Sequence, residues 1–173
     1  MRKVDIRFMW RDGLFLSGLF LAKGIFLLLL YRHGFLSVSA DEYARGIRAA
    51  IWAERPLFDW RTDVLATWLP LEKYVNGAAL WVWHEVIWMP RLTVFVASGI
   101  VLTAVYLFTW RLFRQRETAV FAAILLTVQP WYIWLSGTPM LEMYYLACFI
   151  PGLVLLWRWL YEGRIHSWLP AAI

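Results

Sequence analysis

In a chain that is 62% hydrophobic, three carboxylates stand beside or within its long apolar runs. Asp41 and Glu42 follow closely on a long hydrophobic run, and Glu142 lies two residues inside another. A carboxylate held at a membrane surface can act as general base toward a hydroxyl or an amine, with a lipid-borne substrate arriving from the side. An acid within a span is a site candidate by default. Both positions also have a plainer reading. Asp41 can cap a helix with Glu42 as its first-turn acid, and Glu142 can point into headgroup water.

Other reactive types offer less. His84 and Glu85 sit together beside Trp83, but one His and one acid lack the spacing of a zinc site. His33 and His166 only flank hydrophobic runs. The single Cys148, inside an apolar run, excludes a disulfide framework and a cysteine zinc site. The chain has no phosphate-binding glycine loop.

The elements that carry these residues follow from composition. Of 173 residues, 62% are hydrophobic, against about 45–50% in an ordinary soluble domain. Thirteen Trp favour the interface, where an apolar ring meets wet headgroups. The bilayer is the expected solvent, and four crossings of about 20 residues use most of the length. The net charge of +5 comes from basic clusters beside hydrophobic runs rather than a stripe with interleaved aromatics. It reads as membrane topology and not as a nucleic-acid surface.

The expected fold is all-α: a polytopic bundle of about four spans, one membrane domain over 1–173. Arg2, Lys3, Arg7 and Arg11 precede a first span at 14–31, which sets a cytoplasmic N-terminus. Lys23 inside that run must snorkel, pair or face a polar cavity. Residues 32–89 form an external loop too mixed to cross. Within it, 40–54 places Tyr43, Ile47, Ala50 and Ile51 at helical spacing, with Arg45, Arg48 and Glu54 elsewhere. A second amphipathic stretch, 71–86, has Leu71, Val75, Ala78, Ala79, Val82 and Val86 on one side, with Glu72, Lys73 and Asn76 turned away. Two helices lying along the membrane are expected. Spans follow at 92–112, closing on Arg111, Arg114 and Arg116, at 118–135, and at 140–159, the last kinked or interrupted at Pro151. Residues 166–173 read as the approach to a fifth hydrophobic segment, so a longer module is expected.

In chain order, Ser39-Ala40-Asp41-Glu42-Tyr43-Ala44, Trp68-Leu69-Pro70-Leu71, Pro90-Arg91-Leu92, Arg111-Leu112-Phe113, Ala122-Ala123, Gln129-Pro130-Trp131 and the stretch from Ser136 to Glu142 resemble the membrane glycosyltransferases of the GT-C superfamily. The likeness is to protein mannosyltransferases and lipid A aminoarabinose transferases, and it covers nearly the whole chain. The family's Lys-Pro-Pro element stands here as Trp68-Leu69-Pro70, without the lysine. The resemblance implies inverting transfer of a sugar from a polyprenyl-phosphate donor to an acceptor on the external face of the cell membrane. Asp41 matches the family's catalytic aspartate, Glu42 completes the pair, and Glu142 matches a second acidic position. The leaving phosphate needs compensating charge. Arg91, Lys73 and Arg45 are the first candidates, with Arg48 and Arg61 behind them; a divalent ion is compatible with the same chemistry. A completing C-terminal half or partner subunit is the expected partner besides donor and membrane lipid. Two other classes compete: a small non-catalytic membrane protein that scaffolds an enzyme, and a transporter fragment, whose key groups would lie near midplane.

Overall fold

A computed structural model describes residues 10–35, 39–56 and 71–162. The Trp68-Leu69-Pro70 element, Arg61, the first basic residues Arg2, Lys3 and Arg7, and the stretch 166–173 lie outside them. The described residues form seven helices: α1 (Trp10–Arg32), α2 (Ala40–Glu54), α3 (Leu71–Val82), α4 (Trp88–Phe113), α5 (Arg116–Val128), α6 (Pro130–Gly137) and α7 (Leu141–Glu162). The chain is an all-α polytopic bundle. Three helices, α1, α4 and α7, are long and apolar enough to cross a membrane, and α5 with α6 makes a fourth crossing if the bent pair counts as one.

The third expected span is therefore not one helix. It breaks at Gln129, and α6 turns 65° away from α5. The cause is local. Pro130 disfavours helical backbone at the residue before it, so Gln129 is extended, and the proline starts a new helix at a position where no amide hydrogen is needed. The Gln129 side-chain oxygen accepts from the Tyr132 amide at 2.6 Å and caps that start.

α4 is the hub, packing on α5, α6, α7 and α3. Its buried stripe of Val94, Ala97, Val101 and Leu102 meets Leu16 of α1, Ala119 and Ala123 of α5, and Met143 and Tyr144 of α7. α1 buries Asp12, Leu16, Lys23 and Leu27, keeps Phe15, Leu19 and Phe20 partly buried beside them, and exposes Leu14, Leu21, Ile25, Phe26, Leu28 and Leu29. Such an apolar exterior is stable only in an apolar surrounding.

α2 lies on α3, and together they form a platform at one end of the bundle. Small residues set their closeness. A Cβ at Gly77 would run into the Trp52 ring, and Ala49 and Gly46 stand in the buried stripe of α2. Trp52 also stacks on Trp81, with ring centroids 5.5 Å apart, and the Trp81 indole donates to the Ala53 carbonyl at 2.7 Å. The apolar stripe expected for α2 points away from the protein: Tyr43, Ile47 and Ile51 are exposed. So do Leu71 and Val82 of α3, which ends at Val82 rather than near residue 86. Val75, expected on the same stripe, instead packs against the core. The inward faces carry polar residues, Glu42 and Arg45 on α2 and Glu72 and Asn76 on α3.

Candidate functional site

That inward polarity builds the site. Ser39, in extended backbone, caps α2 by accepting from the Asp41 amide at 3.2 Å. The capping role expected of Asp41 thus falls to Ser39, and Asp41 is an exposed first-turn acid. Glu42 is one helical step round and faces inward, 2% exposed. There it meets Arg91 of α4, with Oε2 3.4 Å from Nη2. Arg91 is 7% exposed, and its Nη1 donates to the Ile87 carbonyl at 2.6 Å. One turn further along α2, buried Arg45 lies 3.9 Å from Glu72 of α3. Two of the expected basic groups, Arg91 and Arg45, are thus brought against carboxylates. Lys73 is half-buried, its ammonium 5.1 Å from the Tyr74 ring centroid.

Beneath these pairs runs a polar network. The Asn76 amide donates to Glu72 Oε1 at 2.8 Å. Its oxygen accepts from Thr93 of α4 at 2.5 Å and from Tyr144 of α7 at 2.6 Å. The two hydroxyls are themselves 2.7 Å apart. Burial pushes the Glu72 carboxyl up, opposed by the Asn76 hydrogen bond and the Arg45, Arg48 and Lys73 charges. The network docks the start of α7 against the platform. It thereby sets Glu142, two residues before Tyr144, at the same end of the bundle as Asp41. Glu142 itself is exposed. Among the described residues, neither the Asp41 nor the Glu142 carboxylate forms a hydrogen bond or ion pair. No group of three His, Cys, Asp or Glu side chains able to hold a metal gathers among the described residues.

Below Arg91 an apolar groove of about 410 Å³ opens between α1 and α4. Leu21, Ile25 and Leu28 form one wall and Leu92 and Phe95 the other, while Tyr31, Trp83, Trp88 and Arg91 close the platform end. Gly24 lets the walls converge, because a Cβ there would stand 3.0 Å from the Phe95 ring. The Arg91 guanidinium lies 6.0 Å from the Tyr31 ring centroid, and the Tyr31 hydroxyl is anchored on the Gly137 carbonyl at 2.6 Å. The groove is greasy along its length and cationic at one end.

Sequence reading missed Glu72 and Asn76, which it placed only on the side opposite the apolar stripe. The signal was there: Glu72, Asn76 and Leu80 recur every four residues, and Gly77 in that stripe marks a close helix approach. It also left the surroundings of Lys23 open. Lys23 is 3% exposed and neither snorkels nor pairs with a carboxylate among the described residues. Its ammonium donates to Ser98 at 2.5 Å and Ser136 at 3.2 Å, and sits 4.2 Å from the Tyr132 ring centroid.

No family model, no curated protein and no solved structure matches the chain.

Proposed function

We propose that this chain is the donor-binding part of a multi-pass membrane glycosyltransferase, which moves a sugar from a polyprenyl-phosphate carrier to an acceptor on the external membrane face. The observation that carries the reading is the groove between α1 and α4, apolar along its walls and ending on Arg91 beside the platform. A polyprenyl tail suits such walls, and its phosphate is complemented by a guanidinium at their end. The basic cluster Arg11, Arg111, Arg114 and Arg116 at the opposite end supports a cytoplasmic N-terminus and an external platform in the cell membrane. α2 and α3 then lie in the interface with Tyr43, Ile47, Leu71 and Val82 toward lipid.

In this reading Asp41, exposed at the platform edge, accepts the proton from the acceptor hydroxyl or amine as that atom bonds to the sugar's anomeric carbon. The bond from that carbon to the phosphate oxygen breaks, the phosphate leaves with the electron pair, and Arg91 offsets the developing charge. Glu142 stands at the same end as a second acid, and Arg45 and Lys73 add positive potential. The test is sugar transfer from a radiolabelled polyprenyl-phosphate donor by the protein in proteoliposomes, with and without a completing partner subunit. Asp41→Asn is expected to lower kcat by 10²–10⁴-fold, the usual reach of a general base. An active protein that keeps its full rate after that change would remove Asp41 from the chemistry.

A scaffold role is the second reading. It draws on the broad exposed apolar surface of α1, α5 and α7, which a partner's helices could cover as well as lipid.

A further inference from the structure

The cation that ends the groove is already occupied by a carboxylate. Glu42 is almost wholly buried, yet its Oε2 stops 3.4 Å from Arg91 Nη2. A charge-assisted pair at full strength closes to about 2.7–2.9 Å. The Arg91 guanidinium is held from its other side, by the Ile87 carbonyl and the Tyr31 ring, at the place where groove and platform meet. Glu42 reaches it from α2. That helix is fixed through α3, whose packing on α4 is independent of this pair. Loss of this one pair therefore leaves the packing of α2 on α3 and of α3 on α4 in place.

From this geometry we infer that Glu42 is a lock on the lipid-phosphate site: its carboxylate takes the place of the phosphate on Arg91 when the groove is empty, and an entering lipid phosphate displaces it. The inference rests on the donor-groove reading above. A lock that is closed about nine-tenths of the time reduces apparent affinity for the phosphate by about tenfold, because only the open fraction binds. It has no such effect on an uncharged lipid that needs only the apolar walls. The pair therefore keeps Arg91 from binding stray anions, at the same cost of about tenfold to the lipid phosphate, and leaves neutral tails unaffected.

The test is equilibrium binding of a polyprenyl monophosphate, and separately of the matching polyprenol, to the full chain in nanodiscs, followed by native mass spectrometry. Glu42→Gln should bind the monophosphate about tenfold more tightly than wild type and the polyprenol equally well. In an Arg91→Gln background, Glu42→Gln should change nothing, since the carboxylate acts only through the guanidinium. If Glu42→Gln does not fold, Glu42→Asp, with a carboxylate one methylene shorter, should shift affinity the same way by about threefold. Unchanged or weaker monophosphate binding in the Glu42 variants, with polyprenol still bound, overturns the lock and leaves the groove standing. Failure of the wild type to bind either lipid removes the groove reading and the lock with it.

Discussion

The two ends of the bundle each bury an acid against a base, and they do it differently. At the basic end Asp12 is fully buried, and its Oδ1 receives Arg116 Nη2 at 2.6 Å and the Tyr106 hydroxyl at 2.7 Å. These bonds knot the start of α1 to the end of α4 and the start of α5. At the platform end the corresponding distances are 3.4 Å for Glu42–Arg91 and 3.9 Å for Arg45–Glu72. Hydrogen bonding is short-ranged and directional, whereas charge attraction falls off slowly. The first pair therefore fixes helices in place. The contacts at the platform end are longer, so charge attraction contributes more to them and hydrogen bonding less. The tight knot makes the frame, and of the platform pairs Arg91 lines the groove.

The largest expected effect breaks the tight side of this contrast. Asp12→Ala leaves the buried Tyr106 hydroxyl without its acceptor and Arg116 without its carboxylate. It should lower unfolding free energy by about 3 kcal/mol, the low end for a broken buried pair, since the Arg116 side chain is 38% exposed and can hydrate in part. Denaturant unfolding in mixed micelles, followed by fluorescence of the chain's 13 Trp, measures it. Glu42→Gln, assayed the same way, should cost less. Equal losses at the two ends would erase the distinction between frame and site.

Most of the frame was legible in the sequence because it depends on summed hydrophobicity and period, which are local. The extent of α2 was readable in this way, and so was the outward stripe of Tyr43, Ile47 and Ile51. The break at Gln129 was not placed, although Pro130 was visible. A proline near the end of a run marks a boundary without saying which way the chain turns after it. The partners of the charged residues were illegible for a different reason. Glu42 meets Arg91 across 49 positions and Lys23 meets Ser136 across 113, and no local pattern encodes such pairings. An amphipathic helix whose polar side faces protein carries the same period as one whose polar side faces water. Glu72 and Asn76 were therefore assignable to a side but not to a surrounding.

Lys23 sharpens the contrast from between the two ends. It is nearly as buried as Asp12, but its partners are hydroxyls and aromatic faces rather than a carboxylate. Ser98 and Ser136 also donate to the Phe95 and Tyr132 carbonyls, each at 2.5 Å. Removal of the ammonium therefore orphans neither hydroxyl. Lys23→Met, close in length and apolar, should leave stability unchanged or raise it by about 1 kcal/mol, as when buried charges give way to packed hydrophobic side chains. A loss of about 2 kcal/mol or more in the same unfolding measurement would place Lys23 with the knot at Asp12.

The smallest effect is a slope with pH, and it asks how loose the platform is. Burial lifts the Glu72 carboxyl above its ordinary 4.5, more strongly than Arg45, Arg48, Lys73 and the Asn76 amide lower it. The folded protein then holds this proton at pH values where the unfolded chain has released it. The stability that Glu72 contributes is fully present below about pH 4.5 and declines as pH rises through the folded value. Glu72→Gln cannot lose a proton, so the stability of wild type minus that of the variant should fall between acidic and neutral pH. A difference that instead rises with pH would mean that Arg45 stabilises the Glu72 carboxylate by more than burial opposes it. The platform pair would then be as firmly charged as the one at Asp12, and its looseness would reside in Glu42 and Arg91 alone.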